Sequence, residues 1–329
     1  LKAAVYDRYG PPEVVSLREA PKPEPKDDEI LVRVRATTIS TADFRARSLE
    51  MPPGFGLLGR LLYGISAPRK KILGTELAGD VEAVGRSVTA FSVGDAVFAL
   101  TGMRLGGHAE YTCLRAAGPV VKKPPNLDYG EAAALAFGGT TALHFFRRGK
   151  LRSGERLLVV GASGCVGTAA VQIGKHFGAV VTGVTSSTNL ELVRSLGAER
   201  VIDYTQEDFT KNGETYDLIL DSTGTAPFSR CKGSLAEGGR LLAVLGSLGE
   251  LFGAVWVSAT SNKSVIAGPA GERVEDLREL ASLAEAGVYK PVIDQRYPLA
   301  SIVEAHRRVD SGRKRGSVVV TIDREPASS

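Results

Sequence analysis

The segment Leu157-Leu158-Val159-Val160-Gly161-Ala162-Ser163-Gly164-Cys165-Val166-Gly167 constrains this chain more than any other. A continuous apolar run of strand length enters a turn of glycine and small residues, and 168–177 then reads as a helix. Such a strand is buried on both faces. The small residues let backbone approach an anion, and the free amides and positive end of the following helix bind it. The expected amide donors are Ser163, Gly164, Cys165 and Val166. A ligand-free strand-to-helix turn is the competing reading, and the strand before and helix after argue against it.

The residues around this turn extend the pattern. Strand-like stretches at 156–160, 180–185, 201–202, 218–220, 240–245 and 264–267 are interleaved with helix-like ones, among them 190–196 and 274–286. That alternation predicts a parallel sheet covered by helices on both faces. NAD binders place an acid about 20 residues beyond the glycines, where it meets the ribose hydroxyls. Here the window reads Val184-Thr185-Ser186-Ser187-Thr188-Asn189, with no acid. A carboxylate there would repel a 2′-phosphate, whereas hydroxyls and an amide donate to it, so NADPH is expected over NADH. Glu191, the nearest acid, has capping-box spacing from Thr188.

The first third has a different texture. Stretches 1–6, 30–36, 79–85 and 96–100 read as short strands, a Gly94-Asp95 turn separates the last two, and Pro21, Pro23 and Pro25 punctuate a connector. This is a barrel-like pattern. Near Pro124-Pro125 alanine and leucine take over, and 129–147 reads as helical. The stretch 51–65 is rich in glycine, leucine and phenylalanine; it reads as too irregular for a helix and suits a lid or pocket wall. The tail at 317–322 is again strand-like.

Bulk properties exclude several classes. With 329 residues, two domains are expected. A net charge of +4 and no basic helix with interleaved aromatics argue against nucleic-acid binding. No apolar run is long enough for a membrane span, and no charged leader precedes an apolar run at the N-terminus. The three cysteines, Cys113, Cys165 and Cys231, are too few and too scattered for a disulfide framework or a C-x-x-C zinc knot. A reducing, cytoplasmic location is the expectation.

In combination and order, several motifs resemble the medium-chain dehydrogenase/reductase superfamily in its zinc-independent quinone oxidoreductase branch. They are Tyr9-Gly10-Pro11-Pro12-Glu13-Val14, Gly74-Thr75-Glu76-Leu77-Ala78-Gly79, Val93-Gly94-Asp95-Ala96-Val97, Gly106-Gly107-His108-Ala109-Glu110-Tyr111, the glycine turn, and Val201-Ile202-Asp203-Tyr204. The resemblance covers nearly the whole chain. It implies an α/β protein with a GroES-like β-barrel catalytic domain (1–123 and 290–329), a Rossmann NADP(H)-binding domain (124–289), an active site in the cleft joining them, and a homodimer.

The resemblance also assigns residues. Ser186, Asn189 and Tyr204 match 2′-phosphate contacts. The family usually has a lysine near Asn189, and Arg313 or Lys314 would supply that charge. Thr141, Gly246 and Ser247 match positions beside the nicotinamide; a helix-cap hydroxyl is an equally good reading of Thr141. Ser40 and Asp43 occupy the family's Asn-x-x-Asp-aromatic segment with Phe44, and capping a helix is the commoner use of such an Asp. Tyr63, Phe252 and Trp256 are candidate apolar walls, though such residues more often serve a core or interface. Zinc relatives hold their metal with Cys, His-Glu and a further Cys or acid. Here those places carry Ser40, Thr75 before Glu76, and no cysteine around Phe137, so no metal is expected. The four histidines read as surface or satisfied core residues: His108 in a strand, His144, His176 and His306 in helices.

Without a Lewis acid, reduction of an electron-poor C=C bond is easier than oxidation of a simple alcohol. Quinones and enones are therefore the expected substrates. A non-catalytic NADPH-binding or scaffold protein of the same fold is the alternative; in it the 51–65 loop and Arg69-Lys70-Lys71 would contact a membrane surface or partner.

Overall fold

Six parallel strands carry the glycine turn. In the computed structural model, which describes residues 1–246, Gly249, Gly253, Val257 and 261–322, they lie in the order Arg200–Asp203, Val180–Thr185, Arg156–Val160, Tyr216–Asp221, Leu235–Ala243 and Ser264–Ala267. By chain position this is third, second, first, fourth, fifth, sixth, the doubly wound order whose switch point falls between the first and fourth strands. Leu157, Leu158 and Val159 have no exposed surface, as an apolar strand covered on both faces requires. The helix Cys165–His176 buries Val166, Ala169, Ala170, Val171 and Ile173. These elements belong to a compact unit of Pro52–Phe55 and Gly138–Gly271. Its main span is 138–271; 124–137 and 272–289, expected with it, group with the other unit.

The other unit comprises Leu1–Met51, Gly56–Phe137 and Glu272–Ser329. Its seven-stranded sheet runs Ile293–Pro298, Ser317–Thr321, Glu29–Ile39, Glu76–Val84, Ala96–Leu100 and Val120–Lys122, with Tyr111–Arg115 also paired to Glu29–Ile39. The pairings are antiparallel except between Ile293–Pro298 and Ser317–Thr321. The alternation in Glu29–Ile39 sends Ile30, Val32 and Val34 into the core with Leu77, Val97 and Val318. On the opposite face, Arg33 and Arg35 meet Asp80 of the neighbouring strand at 3.1 and 2.7 Å. The chain returns after 271 to complete this sheet, and the helix Ile302–Asp310 buries Ile302, Ala305, His306 and Val309.

Several local expectations are corrected. Residues 51–65 contain a helix, Gly56–Tyr63. Gly59 does not break it but lets it lie on Met51, because a Cβ there would sit 2.6 Å from Met51 Cγ. Thr188 and Glu191 form no capping box; the helix Leu190–Ser195 has no side-chain cap, and Glu191 pairs with Arg194 instead. Residues 129–147 belong to a single helix, Tyr129–Gly149. The fifth parallel strand starts at Leu235 rather than 240, since a bulge against Tyr216–Asp221 lets its polar beginning still pair. His108 lies in a bend just before the Ala3–Ala109 bridge, not in a strand.

Candidate active site

Strand Arg156–Val160 ends in Gly161, whose φ of +80° favours glycine. The turn closes with Gly164 N–H donating to Gly161 O at 3.0 Å. Gly164 caps the helix Cys165–His176 with extended φ and ψ and no side chain in the way. A Cβ on Gly167 would stand 2.1 Å from Gly161 O, so only glycine lets helix and turn approach this closely. Ser163, Gly164, Cys165 and Val166 thus sit at the turn and first residues of a helix of twelve residues. Its leading amides have no intrahelical acceptor, which is the geometry an anionic pyrophosphate takes.

Beside the turn, the end of the second strand presents hydroxyls. Thr185 Oγ1 donates to Ser163 Oγ at 2.9 Å. Asn189 Nδ2 donates to Ser163 Oγ and Ser186 Oγ, each at 3.2 Å, while Asn189 Oδ1 is buried without a partner among the described residues. Ser163, Ser186 and Asn189 therefore form one polar cluster with unused hydrogen-bonding capacity. Turned over, the Asn189 amide would point its NH₂ to the unpartnered side and accept from the two serines. Tyr204 is exposed, and its backbone N–H donates to Thr185 O. Asp203 holds Ser187 and Thr205, and the Ser187 hydroxyl is the main cause keeping its carboxyl below the usual range. The Ser187 hydroxyl is thereby taken.

A second turn abuts the first. Buried Asp221 accepts from the amides of Thr223, Gly224 and Ala226 and from the Thr223 hydroxyl. Ser222 Oγ donates to Val160 O at 2.8 Å. A Cβ on Gly161 would lie 2.4 Å from Thr223 Cγ2. This wall of the switch-point crevice was missed by sequence reasoning. Its signal, Asp-Ser-Thr-Gly directly after an apolar strand, is a turn signature that any tight loop shares.

In the other unit Ser40 is the N-cap of helix Thr41–Ser48, and Asp43 is its N3 partner in a reciprocal capping box. The cap is Ser40, so the expectation of Asp43 as the capping residue is corrected in role. Buried Asp43 does more than close the box. Its Oδ2 accepts from Ser40 Oγ at 2.7 Å and Thr75 Oγ1 at 3.1 Å, and its Oδ1 accepts from Gly74 N–H at 2.9 Å. Ser40 Oγ and Thr75 Oγ1 are 2.9 Å apart. The next residue, Glu76, is 1% exposed and takes the Thr38 hydroxyl and the Phe137 amide on its two oxygens. Burial pushes its carboxyl up to about 8, against the lowering effect of those two bonds.

The positions where zinc relatives carry ligands do not fit zinc. Ser40 and Thr75 offer hydroxyls already bound to Asp43, and both Glu76 oxygens are engaged. Among the described residues no three His, Cys, Asp or Glu side chains group as a metal site. His108 is buried with Nε2 on Thr38 O at 2.9 Å.

The remaining candidates belong to both units. Thr141 is buried in the middle of helix Tyr129–Gly149, so it is not a cap. Gly246 follows the fifth strand, 3.0 Å from the Ala267 Cβ if given a Cβ of its own. Ser247, Phe252 and Trp256 lie outside the described residues. Phe44 and Tyr63 pack on the core of their unit. Arg313 is exposed, and Lys314 Nζ donates to Gly316 O at 2.6 Å.

Comparison with known proteins gives a consistent picture. Residues 26–125 match a family described as the alcohol dehydrogenase GroES-like domain, and 196–320 match one described as zinc-binding dehydrogenase. A 2-methylene-furan-3-one reductase from Solanum lycopersicum is 33% identical over 97% of this chain and 79% of its own length. An NADPH-dependent alkenal/one oxidoreductase from Arabidopsis thaliana is 31% identical over the same shares. The quinone oxidoreductase structure from Coxiella burnetii superposes with a TM-score of 0.87 at 26% identity, covering 98% of this chain and 99% of that one.

Proposed function

The chain belongs to the medium-chain dehydrogenase/reductase superfamily, and from that premise we propose that it is an NADPH-dependent oxidoreductase that reduces quinones or the C=C bond of α,β-unsaturated carbonyl compounds. The observation that carries this reading is the pairing of two features: a glycine turn shaped for pyrophosphate, and an acid-free serine–asparagine cluster beside it. NADPH, when bound, is the hydride source. Ser163, Cys165 and Val166 hold the pyrophosphate through their amides, and Gly164, whose own amide closes the turn on Gly161 O, gives it room to approach. Ser186, Asn189 and Tyr204 take the 2′-phosphate, with Arg313 or Lys314 adding charge. Thr141, Gly246 and Ser247 flank the nicotinamide. Phe44, Tyr63, Phe252 and Trp256 wall the substrate.

Ser40 and Asp43 act on the substrate side. Reduction of an enone or quinone builds negative charge on the carbonyl oxygen, and a fixed donor stabilises it. Ser40 and Thr75 together carry two hydroxyl protons. Both point to Asp43 Oδ2 here, and Asp43 keeps one of them when the other turns toward a substrate oxygen. Zinc plays no part, because hydroxyls stand where the metal's ligands would be.

A cytoplasmic setting suits a chain whose three cysteines form no disulfide. No described helix is long and apolar enough to cross a membrane. We also propose a homodimer formed through Ser264–Ala267, the terminal strand of the parallel sheet, which pairs on one side only among the described residues. A panel of enones and quinones, run with deuterated NADPH, tests the activity. Deuterium in the reduced product supports it, and no NADPH consumption across the panel refutes it and favours the scaffold alternative.

A further inference from the structure

The helix Gly56–Tyr63 presents a face that the proposed chemistry does not use. At about 100° per residue, Leu57, Leu61, Leu58 and Leu62 fall within one arc of about 140°, with Gly59 and Tyr63 on the other side. That other side is fastened to the protein. Gly59 is buried against Met51, and Tyr63 packs on the core. Tyr9 Oη donates to Gly64 O, Arg60 Nη1 to Ile65 O, and Arg69 N–H to Tyr63 O, each at 2.8 Å. The leucine arc therefore points away from its anchors. Leu57, Leu58, Leu61, Leu62 and Ile65 are each between 46% and 74% exposed. Isolated apolar residues on a surface need no explanation, but five within nine residues on one pinned segment form a patch.

Charge identifies the occupant. From 51 to 75 the chain has no Asp or Glu, yet it carries Arg60, Arg69, Lys70 and Lys71, all exposed. Lys71 shares Asp7 with Arg18; the other three have no carboxylate partner among the described residues. A second copy would fit poorly, because a two-fold contact through this face sets like charges against each other. A small ligand is largely enclosed when bound, whereas these five side chains stand 46% to 74% exposed. An apolar helix face rimmed by cations matches the boundary between acyl chains and anionic headgroups.

We propose that this face docks the protein on an anionic bilayer surface, with the leucines at headgroup depth and Arg60, Arg69 and Lys70 on lipid phosphates. The proposal is independent of the catalytic reading. Its test is co-sedimentation of the full chain with vesicles of phosphatidylcholine alone or mixed with phosphatidylglycerol. The protein should pellet with the mixed vesicles, bind the neutral ones roughly tenfold less, and be released by salt. Leu57→Gln with Leu61→Gln should abolish pelleting, and Arg69→Gln with Lys70→Gln should weaken it roughly tenfold or more on anionic vesicles only. Both variants should keep the wild-type melting temperature and NADPH affinity. Absence of wild-type binding to anionic vesicles overturns the proposal. So does a leucine variant that converts an oligomer to monomer while vesicle binding persists, since the face would then serve a second copy.

Discussion

The backbone amide of Phe137 donates to Glu76 Oε2 at 2.5 Å, while the Thr38 hydroxyl closes on the other oxygen of the same carboxyl. One buried side chain thus ties the start of strand Glu76–Val84 to helix Tyr129–Gly149 and to strand Glu29–Ile39.

Burial raises the Glu76 carboxyl to about 8, so the folded state keeps a proton that the unfolded chain loses near the ordinary carboxylate range. Between those values the native state binds more protons than the unfolded one, and stability falls as pH rises. Glu76→Gln keeps an acceptor for Phe137 and sets its NH₂ against the Thr38 hydroxyl, which then accepts instead of donating, and it cannot ionise. It should match the wild type near pH 5 and exceed it above pH 8 by roughly 1–3 kcal/mol, the scale of relieving a buried charge. Thermal melts across that range check this.

Two glycines of the nucleotide turn should separate folding from binding. Gly167→Ala forces a Cβ to 2.1 Å from Gly161 O and should destabilise by about 1–3 kcal/mol. Gly164→Ala has extended backbone and its Cβ would meet Gly161 O at an ordinary 3.4 Å. It should melt like the wild type yet bind NADPH at least about tenfold more weakly, because the methyl group stands where the pyrophosphate approaches. Melting and fluorescence titration of both variants check the split.

On the proposed reading, cofactor choice rests on the acid-free end of the second strand. Ser186→Asp places a carboxylate beside Asn189 and should invert the preference, weakening NADPH by roughly tenfold or more while leaving NADH unchanged or improved. Competitive titration of the two cofactors reads this without turnover.

Acid, by contrast, should find its weak point at His306, which is wholly buried with neither ring nitrogen partnered among the described residues. Burial is the largest cause holding its pKa well below the ordinary value, with the facing His108 and Arg47 adding to it. Arg47 is itself bound to Asp310 at 2.6 Å. The unfolded chain protonates His306 near pH 6.5 and the folded one only lower, so stability present above 6.5 is lost as pH falls. His306→Leu should flatten this slope and add roughly 1–3 kcal/mol in acid, as denaturant melts at pH 5 and 7 would show.

The sequence was most readable where a local pattern had a single structural use. The apolar run before Gly161 reads as a buried strand, and it lies between two parallel neighbours in the sheet. It was less readable where a feature depended on distant chain. Glycines and prolines at 51–65 look like breakers until Met51 is seen filling the space above Gly59. Strand Ile293–Pro298 has too polar a sequence, Ile-Asp-Gln-Arg-Tyr-Pro, to be found without its partner Ser317–Thr321. The Asp43 and Glu76 networks join residues more than thirty positions apart, which no spacing rule reports.

The most direct measurement is NADPH consumption with a reactive quinone and a simple enone, before and after exhaustive treatment with a metal chelator. The account predicts turnover on at least one of the two substrates, direct transfer of label from deuterated NADPH, and no change after chelation. Turnover lost with the metal and restored by zinc would contradict it.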